Sequence, residues 1–237
     1  MGFYSMVAFF QKGGLFMYPI LMVFAVGIAI SVERWLQLNR VRGANQKMWD
    51  MLHPALAKGE FDKAREMTHK DESSMAQMLG MGLARQGAVR RREDIEIAME
   101  ESMMEIIPQL EKRTPYVALL SNIATLLGLL GTIMGLIEAF TAVANANPAE
   151  KADLLSASIS VAMNTTAFGL MAAIPLLLFH AKLTSTTGQI VDSLEMASVK
   201  ALNSISNFNR RHFETKSESS DGNQQVSIQK PALAKSP

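Results

Sequence analysis

The sequence predicts an all-α integral membrane protein with three transmembrane helices and long helices extending into the cytoplasm. Three observations carry this. Three long stretches are almost free of charge, while Arg40 to Arg113 and the end of the chain hold most of the ionisable groups. Basic residues gather at one side of those stretches. The charged segments between them carry helical rather than alternating periodicity. Average composition does not settle the class, because 49% hydrophobic content only slightly exceeds that of an ordinary soluble core.

Residues 1–14 form a short N-terminal segment. Leu15 to Leu38 (LFMYPILMVFAVGIAISVERWLQL) is apolar or small for about the length that crosses hydrocarbon. Only Lys12 precedes it, so it reads as a retained anchor rather than a cleaved signal peptide. Glu33, Arg34 and Trp35 close it with groups suited to the headgroup boundary. Residues 39–115 form a helical loop: Gly59-Glu60 marks a break and restart, and Arg91 to Arg113 is Glu-rich. Its acids stand near its start and its bases at its end, the polarity that a helix dipole favours. That helix is expected to run directly into the second span, kinked by Pro108 and Pro115.

The second span covers 116–143 and the third 154–183, joined by a polar turn over 144–153. Residues 184–213 predict an amphipathic helix, with Ile190, Leu194, Ala197, Ala201 and Ile205 at steps of three and four. From 214 to 237 the Ser, Gln, Lys and Pro content predicts disorder. Arg34, Arg40, Arg42, Lys112, Arg113 and Lys182 lie on one side, against Lys12 and Lys151 on the other, which places the N-terminus outside and the C-terminus in the cytoplasm.

Several function classes fall away. A net charge of +1 and no basic run interleaved with aromatics argue against nucleic acid. Without cysteine there are no thiolate metal sites or Cys nucleophiles. His53, His69, His180 and His212 are scattered without ligand spacing, and no phosphate loop or nucleophile elbow occurs, so no enzyme, cofactor or metal is expected. A secondary transporter is disfavoured because three spans hold no internal repeat.

The informative residues lie inside the spans. Ala124, Gly128, Gly131 and Gly135 share one helix face within about 60°. Thr125 and Thr132 run beside that face, seven residues apart. In the third span Ser158, Ala162, Thr165, Thr166, Gly169 and Ala173 cluster likewise. Small residues let membrane helices approach closely. Hydroxyls there either satisfy their own backbone or line a polar route, and both readings stand at this point. Asn164 points away from the Thr166 side, which assigns it to a second packing surface. No carboxylate lies near the middle of a span, since Glu33 and Glu138 stand toward ends. Any proton carrier would then come from another chain, which makes a hetero-oligomer the natural expectation.

Three segments resemble the ExbB/TolQ/MotA family of bacterial inner-membrane ion-channel motor subunits, the ExbB branch most. They are Val32-Glu33-Arg34-Trp35, LGLLGTIMGLIEAF (Leu127 to Phe140) and TTAFGLMAAIP (Thr165 to Pro175). The resemblance spans roughly Leu15 to Leu183. It implies a homo-oligomeric ring, a pentamer, around the membrane helices of an ExbD/TolR-like single-span partner whose intramembrane Asp takes up and releases the ion. It also implies a TonB-like protein as a further partner and an inner-membrane location with the N-terminus periplasmic. By motif position Thr132 and Thr166 would face the partner's Asp, with Thr125 and Thr165 beside them. Gly128, Gly131, Gly135, Ala162, Gly169 and Pro175 would pack helices. Many ExbB and TolQ proteins carry a Glu five residues before the second threonine; here that position is Val161. The expected function is an ExbB-like subunit of a proton-driven motor energising TonB-dependent transport, with sodium as the other candidate ion. The alternatives are a TolQ-like envelope-maintenance subunit, a MotA-like stator subunit and a non-conducting scaffold.

Overall fold

The computed structural model describes residues 14–86 and 92–228, of which Asn145, Asn209 and 211–228 as backbone only. Among the described residues six helices follow one another: α1 (Met17–Lys58), α2 (Phe61–His69), α3 (Ser74–Arg85), α4 (Arg92–Glu111), α5 (Thr114–Asn145) and α6 (Lys151–Ile228). Three helical stretches are long and apolar enough to cross a membrane, beginning at Met17, Arg92 and Lys151. The fold is all-α, as the charge-free stretches predict. Each apolar stretch belongs to a longer helix, because charged residues with good helix propensity continue the backbone past the end of the hydrocarbon-length run. The helix is assigned through Ile228, past the point where composition predicts disorder, and residues 229–237 lie outside the described residues, as does the 1–13 part of the N-terminal segment.

The chain divides into two compact units. The first comprises Met1–Arg40 and Pro108–Gln189 and holds the apolar spans. One buried cluster joins Ile20, Ala124, Ala172 and Ala173, with Val23, Phe24, Leu127 and Phe168 packed around them, and Met17, Leu38, Val117, Leu176 and Leu183 are buried in the same unit. Alanine at three of the four positions joined in the cluster brings α5 and α6 close. Gly27 does the same for α1, since a Cβ there would stand 2.7 Å from a Leu176 methyl. Long apolar side chains such as Leu126, Met163 and Leu178 point outward, as expected where lipid or another chain replaces water.

The expected direct passage from the charged helix into the second span is interrupted. Arg113 stands between α4 and α5 with φ +66°, the one non-glycine residue with positive φ among the described residues. Pro115 falls in the first turn of α5, where a missing N–H leaves no bond unmade. The end of the first span holds this joint. Arg34 is buried, donating to the Leu110 carbonyl, one of the last acceptors of α4, and to Gln37 Oε1 at 2.7 Å. Glu33 pairs with Arg113 on the exposed side. Arg34 therefore serves the protein interior rather than the headgroup layer.

The second unit comprises Val41–Ile107 and Ile190–Pro237. Gly59, at φ +78°, breaks the chain between α1 and α2 where sequence places the break, and a Cβ on it would run into the Phe208 ring. That ring meets Phe61 edge-on at 5.1 Å. Ser73 caps α3 by accepting from the Ala76 N–H, and Asn45 Oδ1 accepts from the Met75 N–H at 3.1 Å. All five apolar positions of the amphipathic helix, Ile190, Leu194, Ala197, Ala201 and Ile205, are buried.

On the surface of α2, Lys70 bonds Glu66 Oε1 at 2.6 Å, and this contact holds the Glu66 carboxyl below the usual carboxylate range. A depressed acid stabilises above its unfolded pKa and loses that contribution as pH falls through its folded one. With Lys70→Gln, the Glu66 titration followed by NMR should move upward. Thermal stability at neutral pH should stay unchanged, because the pair is solvent-screened. An unmoved titration would mean that the pair does not form in solution.

Candidate ion pathway at the α5–α6 crossing

The small-residue faces of the last two spans meet each other. A Cβ on Gly169 would lie 2.8 Å from the Ala124 carbonyl oxygen and 2.9 Å from Gly128 Cα; one on Gly128 would lie 3.2 Å from Gly169 Cα. Backbone touches backbone here, and only glycine on both helices allows it. One turn along, Gly131 abuts the Thr165 side chain and Phe16, and two turns along a Cβ on Gly135 would stand 2.8 Å from Ala162 Cβ. Toward the other end, the buried Ser121 hydroxyl donates to the Ala173 carbonyl at 2.8 Å. This side is thus filled by contacts within one chain. The packing set expected from sequence, Gly128, Gly131, Gly135, Ala162 and Gly169, is brought together at one crossing. Pro175 lies inside α6, half-buried, beyond the Ser121–Ala173 bond.

The hydroxyls divide. Thr165 is buried against Gly131 and donates to the Val161 carbonyl at 3.0 Å, so it belongs to the packed side and not to an open edge. Adjacent helix residues are about 100° apart, and here that step turns Thr165 toward Gly131 while Thr166 stays at the edge. Thr166 and Thr132 meet at the edge of the crossing, both half-buried, with Oγ1 atoms 3.2 Å apart. Thr166 donates to the Gly128 carbonyl at 2.7 Å and Thr132 to the Leu129 carbonyl at 2.6 Å. Each hydroxyl has one proton, and the shorter bonds claim both. With both protons so placed, the two oxygens keep lone pairs that can accept from a water or a protonated acid or meet a cation.

Thr132 continues a stripe along α5. Asn122, Thr125, Leu129, Thr132 and Leu136 recur at steps of three and four, all exposed except the half-buried Thr132. Thr125 donates back to the Ser121 carbonyl at 3.2 Å, satisfying itself locally. Asn122 escaped the sequence reading, although its spacing to Thr125 and Thr132 was the available signal. An exposed amide inside the apolar span, even toward its 116 end, needs a partner that lipid cannot supply.

A sequence model of the MotA/TolQ/ExbB proton channel family matches residues 70–196, more than half of the chain. The chain belongs to this family. Among curated proteins, the ExbB-like 1 biopolymer transport protein of Synechocystis is 28% identical over 77% of this chain and 72% of its own. The ExbB homologue of Methanothermobacter thermautotrophicus is 24% identical over 82% and 68%. The Tol-Pal system protein TolQ of Haemophilus influenzae is 35% identical over 36% and 37%. The recognised resemblance and its ExbB-like branch thus stand, and the protein is a multi-pass membrane protein of a channel family.

The matched segment includes both threonines and the glycine crossing. Val161, where many ExbB and TolQ proteins carry Glu, lies against the start of α1: a Cβ on Gly14 would be 3.2 Å from its Cγ1. Among the described residues no cluster of three His, Asp or Glu side chains could hold a metal ion. Glu138 is exposed near the end of α5 that leads into the turn.

Proposed function

We propose that this protein is an ExbB-like subunit of a proton-driven motor in the bacterial inner membrane. It would work as a homo-oligomeric ring, a pentamer by family analogy, with the N-terminus periplasmic and the C-terminus cytoplasmic. An ExbD/TolR-like single-span protein would supply the intramembrane Asp, and a TonB-like protein would receive the work for outer-membrane transport. The observation that carries this reading is the Thr132–Thr166 pair, whose free lone pairs open at the edge of a crossing otherwise sealed by glycine.

The chemistry follows from that edge. Neither Thr132 nor Thr166 titrates near neutral pH, so the pair cannot store a proton; it can only exchange hydrogen bonds with a group that does. A protonated Asp on a partner helix suits it, and so does a water that relays a proton to such an Asp. The exposed Asn122 supports a neighbouring chain on this side of α5, because an amide turned to lipid would be left unpaired. Thr165 and the glycines then act as the rigid backing that keeps the two hydroxyls in register. A TolQ-like role in envelope maintenance is the second reading, favoured by the local match to the Haemophilus protein.

The test replaces Thr132 and Thr166 together by Ala. Energy-dependent uptake should fall to background, while membrane insertion and ring assembly persist, and the Thr→Ser pair should restore most of the activity. Full uptake by the double Ala variant would overturn the assignment. Co-purification should recover a single-span protein with an Asp inside its membrane helix; a working complex without one would remove the motor reading.

A further inference from the structure

The second unit carries two exposed helix faces of opposite charge that the chain itself leaves unpaired. On α4, Glu93, Ile97, Glu100, Glu101 and Met104 lie within about 100° of one another, all exposed. Ile97 is 50% and Met104 73% exposed, although this acid-rich helix offers no hydrocarbon to cover them. On α1, Gly43, Lys47, Met51, Pro54 and Lys58 form a similar stripe, also exposed, with Met51 at 52%, and the one acid at its edge, Asp50, accepts from the Gln46 amide at 3.0 Å. Among the described residues neither Lys47 nor any of these glutamates enters an ion pair. Gly43 has nothing within 4 Å of the place its Cβ would take.

Heights within the unit can be read from contacts. The Lys200 ammonium sits 5.8 Å from the Trp49 ring centre, and Arg92 donates to Asn203 at 3.1 Å. Three residues up α6 from Lys200 is Asn203, so Arg92 stands at about the height of α1 residue 52, and α4 runs the opposite way. Lys47 is then within about a turn of Ile97, which itself lies one turn from both Glu93 and Glu100. Gly43 is likewise near the height of Glu101, and Met51 near that of Glu93.

We propose that in the ring the acidic face of α4 on one copy docks on the basic face of α1 on the next. Lys47 is seated beside Ile97 between Glu93 and Glu100, and Gly43 admits the neighbour's α4. The proposal rests on the ring reading above. A ring axis parallel to these helices preserves height, so groups level within one chain remain level across the contact. Two different patches meet, which makes the interface head-to-tail, and such interfaces build rings where the rotation closes rather than two-fold dimers. Opposite charge sets the register, and the half-exposed Ile97 and Met104 supply the apolar centre that charge pairs alone lack.

The absence of cysteine gives a clean test. Two separately tagged full-length chains, one Lys47→Cys and the other Ile97→Cys, are co-expressed in membranes and mildly oxidised. Disulfide-linked dimers carrying both tags are expected to dominate, with little product from either variant alone. In a second arm Lys47→Glu should weaken the ring in native mass spectrometry several-fold, and Lys47→Glu with Glu93→Lys and Glu100→Lys should restore it. Gly43→Leu should disrupt assembly without lowering the monomer's helix content. An intact ring with no mixed dimers overturns this interface and spares the ring. Monomers throughout, in the unmodified chain as well, overturn both. If Lys47→Glu leaves assembly unchanged but reduces binding to vesicles containing anionic phospholipid, the basic stripe serves a lipid surface and the proposal is wrong.

Discussion

Gly169→Val is expected to prevent the last two spans from closing on each other. The atoms that the new side chain would meet are the Ala124 carbonyl oxygen and the Gly128 backbone, at 2.8 and 2.9 Å even for the first carbon. Side chains can swing away from an overpacked site, but a helix backbone can only move as a whole. Overpacking ordinarily costs about 1–3 kcal/mol, and rigid neighbours place this substitution at or above the top of that range. Membrane helices also have little hydrophobic drive to keep them together once contact is lost. Thermal unfolding in mild detergent should show a large drop or no cooperative transition. Gly188→Ala is the matched control, since its Cβ would meet nothing within 4 Å and its helix propensity would rise. Equal stability of Gly169→Val and the parent would mean that the spans cross elsewhere.

Arg34→Leu is the second large effect. The guanidinium is buried, bonds the Leu110 carbonyl near the end of α4, and leaves its Nε without a partner. Removing it orphans a buried carbonyl, and hydrogen bonds from charged groups are worth about 1.5–3 kcal/mol. Losing the unpartnered Nε returns part of that, so about 2 kcal/mol is expected rather than the roughly 3–5 of a broken buried ion pair. Lys should not rescue, because one ammonium cannot reproduce the fork that reaches Gln37 and Leu110 together. The readout is the melting temperature of the purified protein; a fully stable Arg34→Lys would show that charge alone suffices there.

Much of this architecture was legible because it is written in periodicity and size. Ala124, Gly128, Gly135, Ala162 and Gly169 fall on single helix faces, and such faces have few uses apart from close contact. Gly59 could be read because a left-handed residue after a helix is most often glycine. The five apolar positions from Ile190 to Ile205 could be read because water selects the other face. What escaped depends on partners far along the chain. Gly27 looks like any glycine in an apolar run until Leu176 is found against it. Arg34 resembles a headgroup anchor until the end of α4 arrives beside it. The left-handed Arg113 is invisible to propensity, since arginine favours the right-handed helix that this joint refuses. Thr165 was grouped with Thr166 by adjacency in sequence, where the 100° step between neighbours separates them.

The two hydroxyls at the crossing edge have a further property. Each proton now rests on a main-chain oxygen that lies in a helical turn, and releasing it gives up about 1 kcal/mol, a little under twice the thermal energy. Under the proposed function, Thr132 and Thr166 would consequently reverse their polarity at small cost, offering oxygen to an incoming acid and hydrogen to the anion left after it departs. One fixed pair of side chains would solvate both halves of a duty cycle, and neither helix backbone would have to shift between strokes.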